Sequence, residues 1–158
     1  MSVPKPFHHE HLVRINDPIL ERSLWLTRRQ LWAGLRHTVL TPQAMDDSID
    51  AASVQEQSAG VFSREIRRGA VIANDEVTLV TDESLRICAD ACGQFCGSSL
   101  TIRIEEPAPE MLFVRFIYEL VGLENERTEE EDTARRSAYE ASDIERVREA
   151  RRHAGGGH

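Results

Sequence analysis

Six strand-like segments follow one another between residues 48 and 121, and the chain then runs into one long, charge-polarised helical segment that opens at Thr128. Consecutive short strands broken by tight turns favour an antiparallel meander. A long antiparallel sheet whose one large cover is a terminal helix tends to enclose a cavity between the two layers. The order of elements therefore predicts an α+β container and says less about its contents.

An earlier strand is expected over residues 9–16, where His11, Val13 and Ile15 alternate with Leu12, Arg14 and Asn16 until Asp17-Pro18 stops the run. A short helical pair follows. Thr27 stands three residues before Gln30, the spacing of a capping box, and Leu31, Trp32, Leu35 and Val39 then recur on one helical face. The next strand, over 48–57, is the least apolar, and its inner face is the least defined.

Strands over 61–67 and 71–80 flank Arg68-Gly69, a link suited to a hairpin. Pairing Ile66 with Val71 sets Arg64 against Ala73 and Phe62 against Asp75, with Val77 and Leu79 on the same face. Arg64 and Asp75 are then diagonal neighbours on an otherwise apolar surface. Further strands are expected over 84–91, with Leu85, Ile87 and Ala89 inward, and over 98–105, with Leu100, Ile102 and Ile104 inward. The turn Glu106-Pro107-Ala108-Pro109 leads to the last strand, where Leu112, Val114, Phe116, Tyr118 and Leu120 share a face; pairing Ile104 with Leu112 aligns the two inner faces.

The terminal helix has a capping-box spacing at Thr128 and Glu131, acids in its first turn and arginines in its last turns, all of which suit the helix dipole. It is expected to reach about His153, and residues 155–158 to form a disordered tail, which leaves 1–154 as a single domain. Its apolar stripe is thin: Ala134, Ala138, Ala141, Ile144 and Val147. Tyr139 and Asp143 lie off that stripe and read as a solvated pair.

The net charge is −8, from 27 acidic and 19 basic residues, which gives no electrostatic reason to bind nucleic acid. No apolar run reaches membrane-spanning length and no signal peptide is visible, so a cytoplasmic protein without membrane insertion is expected. Cys88, Cys92 and Cys96 are spaced by four residues with no fourth cysteine, which suits reduced, incidental thiols better than a metal site. His8, His9 and His11 likewise read as solvated. Neither a metal nor a cofactor is expected.

The strings EHLVRINDP, LTRRQLWAGL, SREIRRGAVIANDEVTL, GSSLTIRIEEP, LFVRFIYE and SAYEASDIERVRE, covering residues 9–152, resemble the START-like, birch-pollen-allergen-like (SRPBCC) superfamily, and within it a bacterial family related to acetylaranotin-biosynthesis-type proteins. The resemblance implies a helix-grip fold: a seven-stranded curved antiparallel sheet around the C-terminal helix, with an apolar cavity between them. None of the strings is a catalytic signature.

Phe62, Val77, Ile102 and Phe116 are then expected as cavity wall, with Arg64, Asp75 and Tyr118 as the polar groups able to meet a ligand. Arg64 and Asp75 have two readings. They are a mutually satisfied ion pair that fixes the hairpin, or a cation and a carboxylate that act on a bound molecule. The expected function is binding of a hydrophobic or aromatic small molecule. The alternatives are a cofactor-independent acid–base enzyme in the same cavity and an interaction or homodimer module built on outward Phe113 and Ile117.

Overall fold

The computed structural model describes residues 6–89, 97–120 and 127–155. Strand β1 (Phe7–Arg14) leads through a 3-10 turn at Arg22–Leu24 into helix α1 (Arg28–Leu40), and a second 3-10 turn at Pro42–Ala44 opens the meander. The meander comprises β2 (Ala51–Ser58), β3 (Val61–Arg68), β4 (Val71–Val80), β5 (Ser84–Ala89), β6 (Ser98–Ala108) and β7 (Met111–Leu120), and helix α2 (Glu129–Gly155) follows. All seven strands form one antiparallel sheet in the order β1-β7-β6-β5-β4-β3-β2, so β1 covers the edge that β7 would otherwise expose. The helical pair expected after the first strand is one true helix and one 3-10 turn. Among the described residues no helix is long and apolar enough to cross a membrane.

Both hairpin registers differ from expectation by two residues. Ile66 stands opposite Ala73, Arg64 opposite Asp75 and Phe62 opposite Val77. Similarly, Ile104 faces Val114, Ile102 faces Phe116 and Leu100 faces Tyr118. The turns sit further along the chain than the Arg68-Gly69 and Glu106–Pro109 links expected: Arg68 pairs with Val71 across Gly69-Ala70, and Ala108 pairs with Met111 across Pro109-Glu110. Gly69 (φ 59°) and Glu110 (φ 68°) supply the left-handed backbone those turns require. A shift of two preserves the alternation, so the predicted inner faces survive. Val77, Leu85, Ile102, Leu112, Val114 and Phe116 are almost fully buried there. On the outer face Phe113 and Ile117 are half-buried, and the Arg14 guanidinium lies 5.7 Å from the Phe113 ring centre.

Helix α1 begins with the expected capping box: the Gln30 amide donates to Thr27 Oγ1 (3.1 Å) and the Thr27 amide to Gln30 Oε1 (2.9 Å). Leu31, Trp32, Leu35 and Val39 are its buried face. Gly34, on the same helix, sits so close to Ala150 of α2 that a Cβ there would stand 2.5 Å from the Ala150 carbonyl oxygen.

Helix α2 is capped as expected, with the Glu131 amide donating to Thr128 Oγ1 (3.1 Å), and it runs on to Gly155. Its buried side is not the predicted stripe. Ala134, Ala138, Ala141 and Ile144 are exposed, Ile144 at 43%, while Asp143, Val147 and Ala150 are buried. The alanines offer little area to bury, about one methyl each, so they cannot dictate the rotation of the helix. The Gly34–Ala150 contact and hydrogen bonds from Arg151 to the Leu24 and Ile15 carbonyls pin one end instead.

Candidate functional site

Antiparallel pairing of β3 with β4 puts Arg64 directly across from Asp75, and the two make a fork-to-fork pair: Arg64 Nε donates to Asp75 Oδ1 (2.7 Å) and Nη2 to Oδ2 (2.6 Å). Arg64 Nη1 donates to the Val39 carbonyl at the end of α1 (2.7 Å). The guanidinium is thus shared between a carboxylate and a helix C-terminus, where a cation is favoured.

A second polar cluster joins β1, β7 and α2. Alternation on β1 turns His9 and His11 inward, beside Tyr118 and Phe116 of β7. Asp143, fully buried on α2, accepts a hydrogen bond from the Tyr118 hydroxyl on Oδ1, while His11 Nδ1 lies 2.9 Å from Oδ2. One turn earlier, Glu140 Oε2 stands 2.8 Å from His9 Nε2. The Tyr139 ring stacks on Tyr118, and Phe7 meets its edge at a centroid distance of 6.1 Å. Burial pushes the Asp143 carboxyl above the ordinary carboxylate value, against the opposing pull of Tyr118, His11 and Arg146. Burial, with the Asp143 charge behind it, holds the Tyr118 phenol well above its usual range.

Two of the clefts beside α2 reach these polar groups. One, of about 190 Å³, lies where β5 ends and β6 begins, bordered by Ile87, Leu100, Leu120, Tyr118 and Tyr139 with Ser98 at its rim. The other, of about 250 Å³, lies against β3 and the end of α1, bordered by Ile49, Ile66, Met45 and Pro42 together with Arg64 and Arg146. Arg146 reaches Thr38 Oγ1 through Nη1 (2.8 Å).

Of the residues expected at a ligand, Tyr118 borders the first cleft and Arg64 the second, with Asp75 held on Arg64. Val77, Ile102 and Phe116 are fully buried in the core and Phe62 is packed against it. Tyr139 and Asp143 are not a solvated pair, and His9 and His11 are not solvated histidines; these four build the Tyr118 cluster. The 139, 143, 146/147, 150 spacing is a helical face as regular as the alanine stripe, and its polar residues hid it. Cys88 is disulfide-bonded, contrary to the expected free thiol; Cys92 and Cys96 lie outside the described residues. No group of three or more His, Cys, Asp and Glu is arranged to hold a metal among the described residues.

An antiparallel sheet closed by a C-terminal helix, with polar groups gathered beneath that helix, defines the helix-grip class. Within it, the chain belongs to the family described as acetylaranotin biosynthesis cluster protein L, whose profile matches residues 13–157. Solved structures agree on the fold. The aromatase/cyclase Zhui from Streptomyces sp. R1128 superposes with a TM-score of 0.60 at 14% identity, over 96% of this chain and 94% of that one. Ara h 8.0201 gives 0.57 at 10% identity, over 96% and 99%. The di-domain ARO/CYC StfQ of the steffimycin biosynthetic pathway gives 0.68 at 9% identity, over 94% of this chain but 51% of that one, so the present chain spans about half its length. No curated protein matches the chain.

Proposed function

We propose that the protein binds a small hydrophobic or aromatic molecule on the inner face of the sheet, entering at the Tyr118–Tyr139 cleft. The observation that carries this reading is the cleft's makeup. Apolar Ile87, Leu100 and Leu120 surround two parallel phenol rings, a surface suited to a flat ring, and one phenol hydroxyl is fixed by a buried carboxylate. A cavity of roughly 150 Å³ takes a benzene-sized guest, so 190 Å³ suits one or two fused rings. The aromatase/cyclase names borne by Zhui and StfQ accord with an aromatic ligand.

The test is titration with 2-naphthol, a neutral aromatic probe, followed by fluorescence and by amide shifts. Saturable binding on the order of 0.1 mM is expected for a ligand of that size. Leu100→Trp, which fills the cleft, should abolish it. Equal binding by Leu100→Trp, or no binding in the millimolar range, overturns the reading.

The Tyr118–Asp143–His11 chain favours a second reading, cofactor-independent acid–base chemistry at the same cleft. An Asp143 carboxylate whose proton affinity burial raises takes the Tyr118 hydroxyl proton as that phenol oxygen takes one from a carbon acid in the cleft, and the proton on Asp143 leaves toward solvent through His11. Its test is deuterium exchange at the carbon next to the carbonyl of 1-tetralone. The wild type should accelerate exchange and Asp143→Asn should not; equal rates end this reading.

A further inference from the structure

The cleft against β3 carries an unused charge. Three guanidiniums border it, and two are committed: Arg64 to Asp75 and the Val39 carbonyl, Arg68 to Asp46 (2.9 Å). The third, Arg146, makes no ion pair among the described residues. Its Nη1 donates to a neutral hydroxyl, Thr38 Oγ1, and its Nε is buried with no hydrogen-bond partner. A buried guanidinium N–H without an acceptor has given up water for nothing and is destabilising. Burial and the nearby Arg64 charge both press against the Arg146 cation, and the Tyr118–Asp143 cluster opposes them only through space. The rest of the wall is Pro42, Met45, Ile49 and Ile66, with Ser142 and the Asp46 carboxylate that Arg68 holds.

We propose that this pocket is a separate binding site for a monoanionic carboxylate carried on a small apolar body, with Arg146 as the group that holds the anion. Arg146 is the one cation bordering the pocket that makes no ion pair among the described residues, and a carboxylate oxygen supplies the acceptor that its buried Nε lacks. The apolar part of the wall and the volume of about 250 Å³ suit a short branched chain or a single ring as the remainder of the ligand. The site does not depend on the Tyr118 cleft, which lies on the β5–β7 side of α2.

Isovalerate, an aliphatic carboxylate without an aromatic ring, separates the two sites. In a titration of the intact chain followed by NMR, isovalerate should shift the arginine side-chain Nε–H signal that is lost in Arg146→Lys, together with the amides of Met45 and Ile49. Isovaleramide, the neutral isostere, should bind at least tenfold more weakly. Arg146→Lys keeps the charge and removes the Nε donor, and should weaken isovalerate by roughly tenfold. Met45→Trp, which obstructs the pocket and leaves Arg146 in place, should abolish binding, and it serves should Arg146→Lys fail to fold. Equal binding of the acid and the amide overturns the proposal. So do shifts confined to Leu100, Tyr118 and Tyr139, and so does undiminished binding by Met45→Trp. Naphthol binding is unaffected by any of these outcomes, so the two sites stand or fall apart.

Discussion

The phenol ring of Tyr139 lies on that of Tyr118 with centroids 3.9 Å apart and planes 3° from parallel. One ring comes from α2 and the other from β7, so the stack fastens the helix to the sheet beside the cleft. The sequence holds two tyrosines in all, and every tyrosine signal in the protein therefore reports on this one place.

Tyrosinate absorbance consequently reads the site without any label. Burial raises both phenols above the ordinary value of 10.0, and the Asp143 charge raises Tyr118 further. The folded protein should show no tyrosinate at a pH where the urea-unfolded chain has ionised both rings. Asp143→Asn should bring Tyr118 part of the way down and no further, because burial, the larger cause, remains. A native tyrosine that titrates at the ordinary value contradicts the buried cluster.

Arg64 and Asp75 are each mostly buried, with side-chain exposures of 7% and 12%. Arg64→Met strands the Asp75 carboxylate and the Val39 carbonyl, and removing one member of such a pair costs about 3–5 kcal/mol. Arg64→Met combined with Asp75→Leu should recover most of that loss, since an apolar pair of similar volume avoids the stranded charge. Urea midpoints of the two variants decide it. If the double variant is no better than the single one, the pair matters for more than its mutual satisfaction.

The succession of strands, the caps at Thr27 and Thr128 and the inner faces of β6 and β7 were all legible from alternation and spacing, because those signals are local. Parity survived even where register did not. Two residues of slip moved Arg64 from diagonal to opposite Asp75 and left both on the inner face. The rotation of α2 was illegible for a different reason. Hydrophobic patterning assumes that apolar residues choose the inward face, yet here Asp143 is buried, and Tyr139 and Arg146 partly buried, by partners on β1, β7 and α1. Those partners lie between 21 and 132 residues away in sequence, and no local pattern in α2 names them. The string SAYEASDIE hinted at the right residues without giving their direction.

Gly34 decides between two opposed effects. Gly to Ala inside a helix ordinarily gains about 1 kcal/mol from propensity. Here the added methyl would stand 2.5 Å from the Ala150 carbonyl oxygen and 2.8 Å from its Cα, both rigid backbone atoms. Overpacking of that kind costs roughly 1–3 kcal/mol or more, so α1 and α2 must move apart. Gly34→Ala should lower the urea midpoint, and Gly34→Ala with Ala150→Gly should not restore it, because the clash is with main chain. A stabilised Gly34→Ala protein contradicts the helix contact.

Two buried or bonded aspartates should pull the pH dependence of stability in opposite directions. Hydrogen bonds from Ser48, with Arg68 assisting, hold Asp46 down to about 2, below its ordinary 3.8. Its contribution is therefore complete above 3.8 and lost as the pH falls through the folded value. Burial raises Asp143 above 3.8, so the folded state keeps a proton that the unfolded chain has released. That contribution is complete below 3.8 and is lost as the pH rises through the folded value. Urea midpoints between about pH 2 and pH 7 for the wild type, Asp46→Asn and Asp143→Asn separate the two. The wild type should gain on Asp46→Asn as the pH rises from 2 toward 4, and should lose ground to Asp143→Asn as it rises above 4. If both differences run the same way, the Asp143 carboxyl is not held up by burial, and the proton relay through Tyr118 and His11 loses its strengthened base.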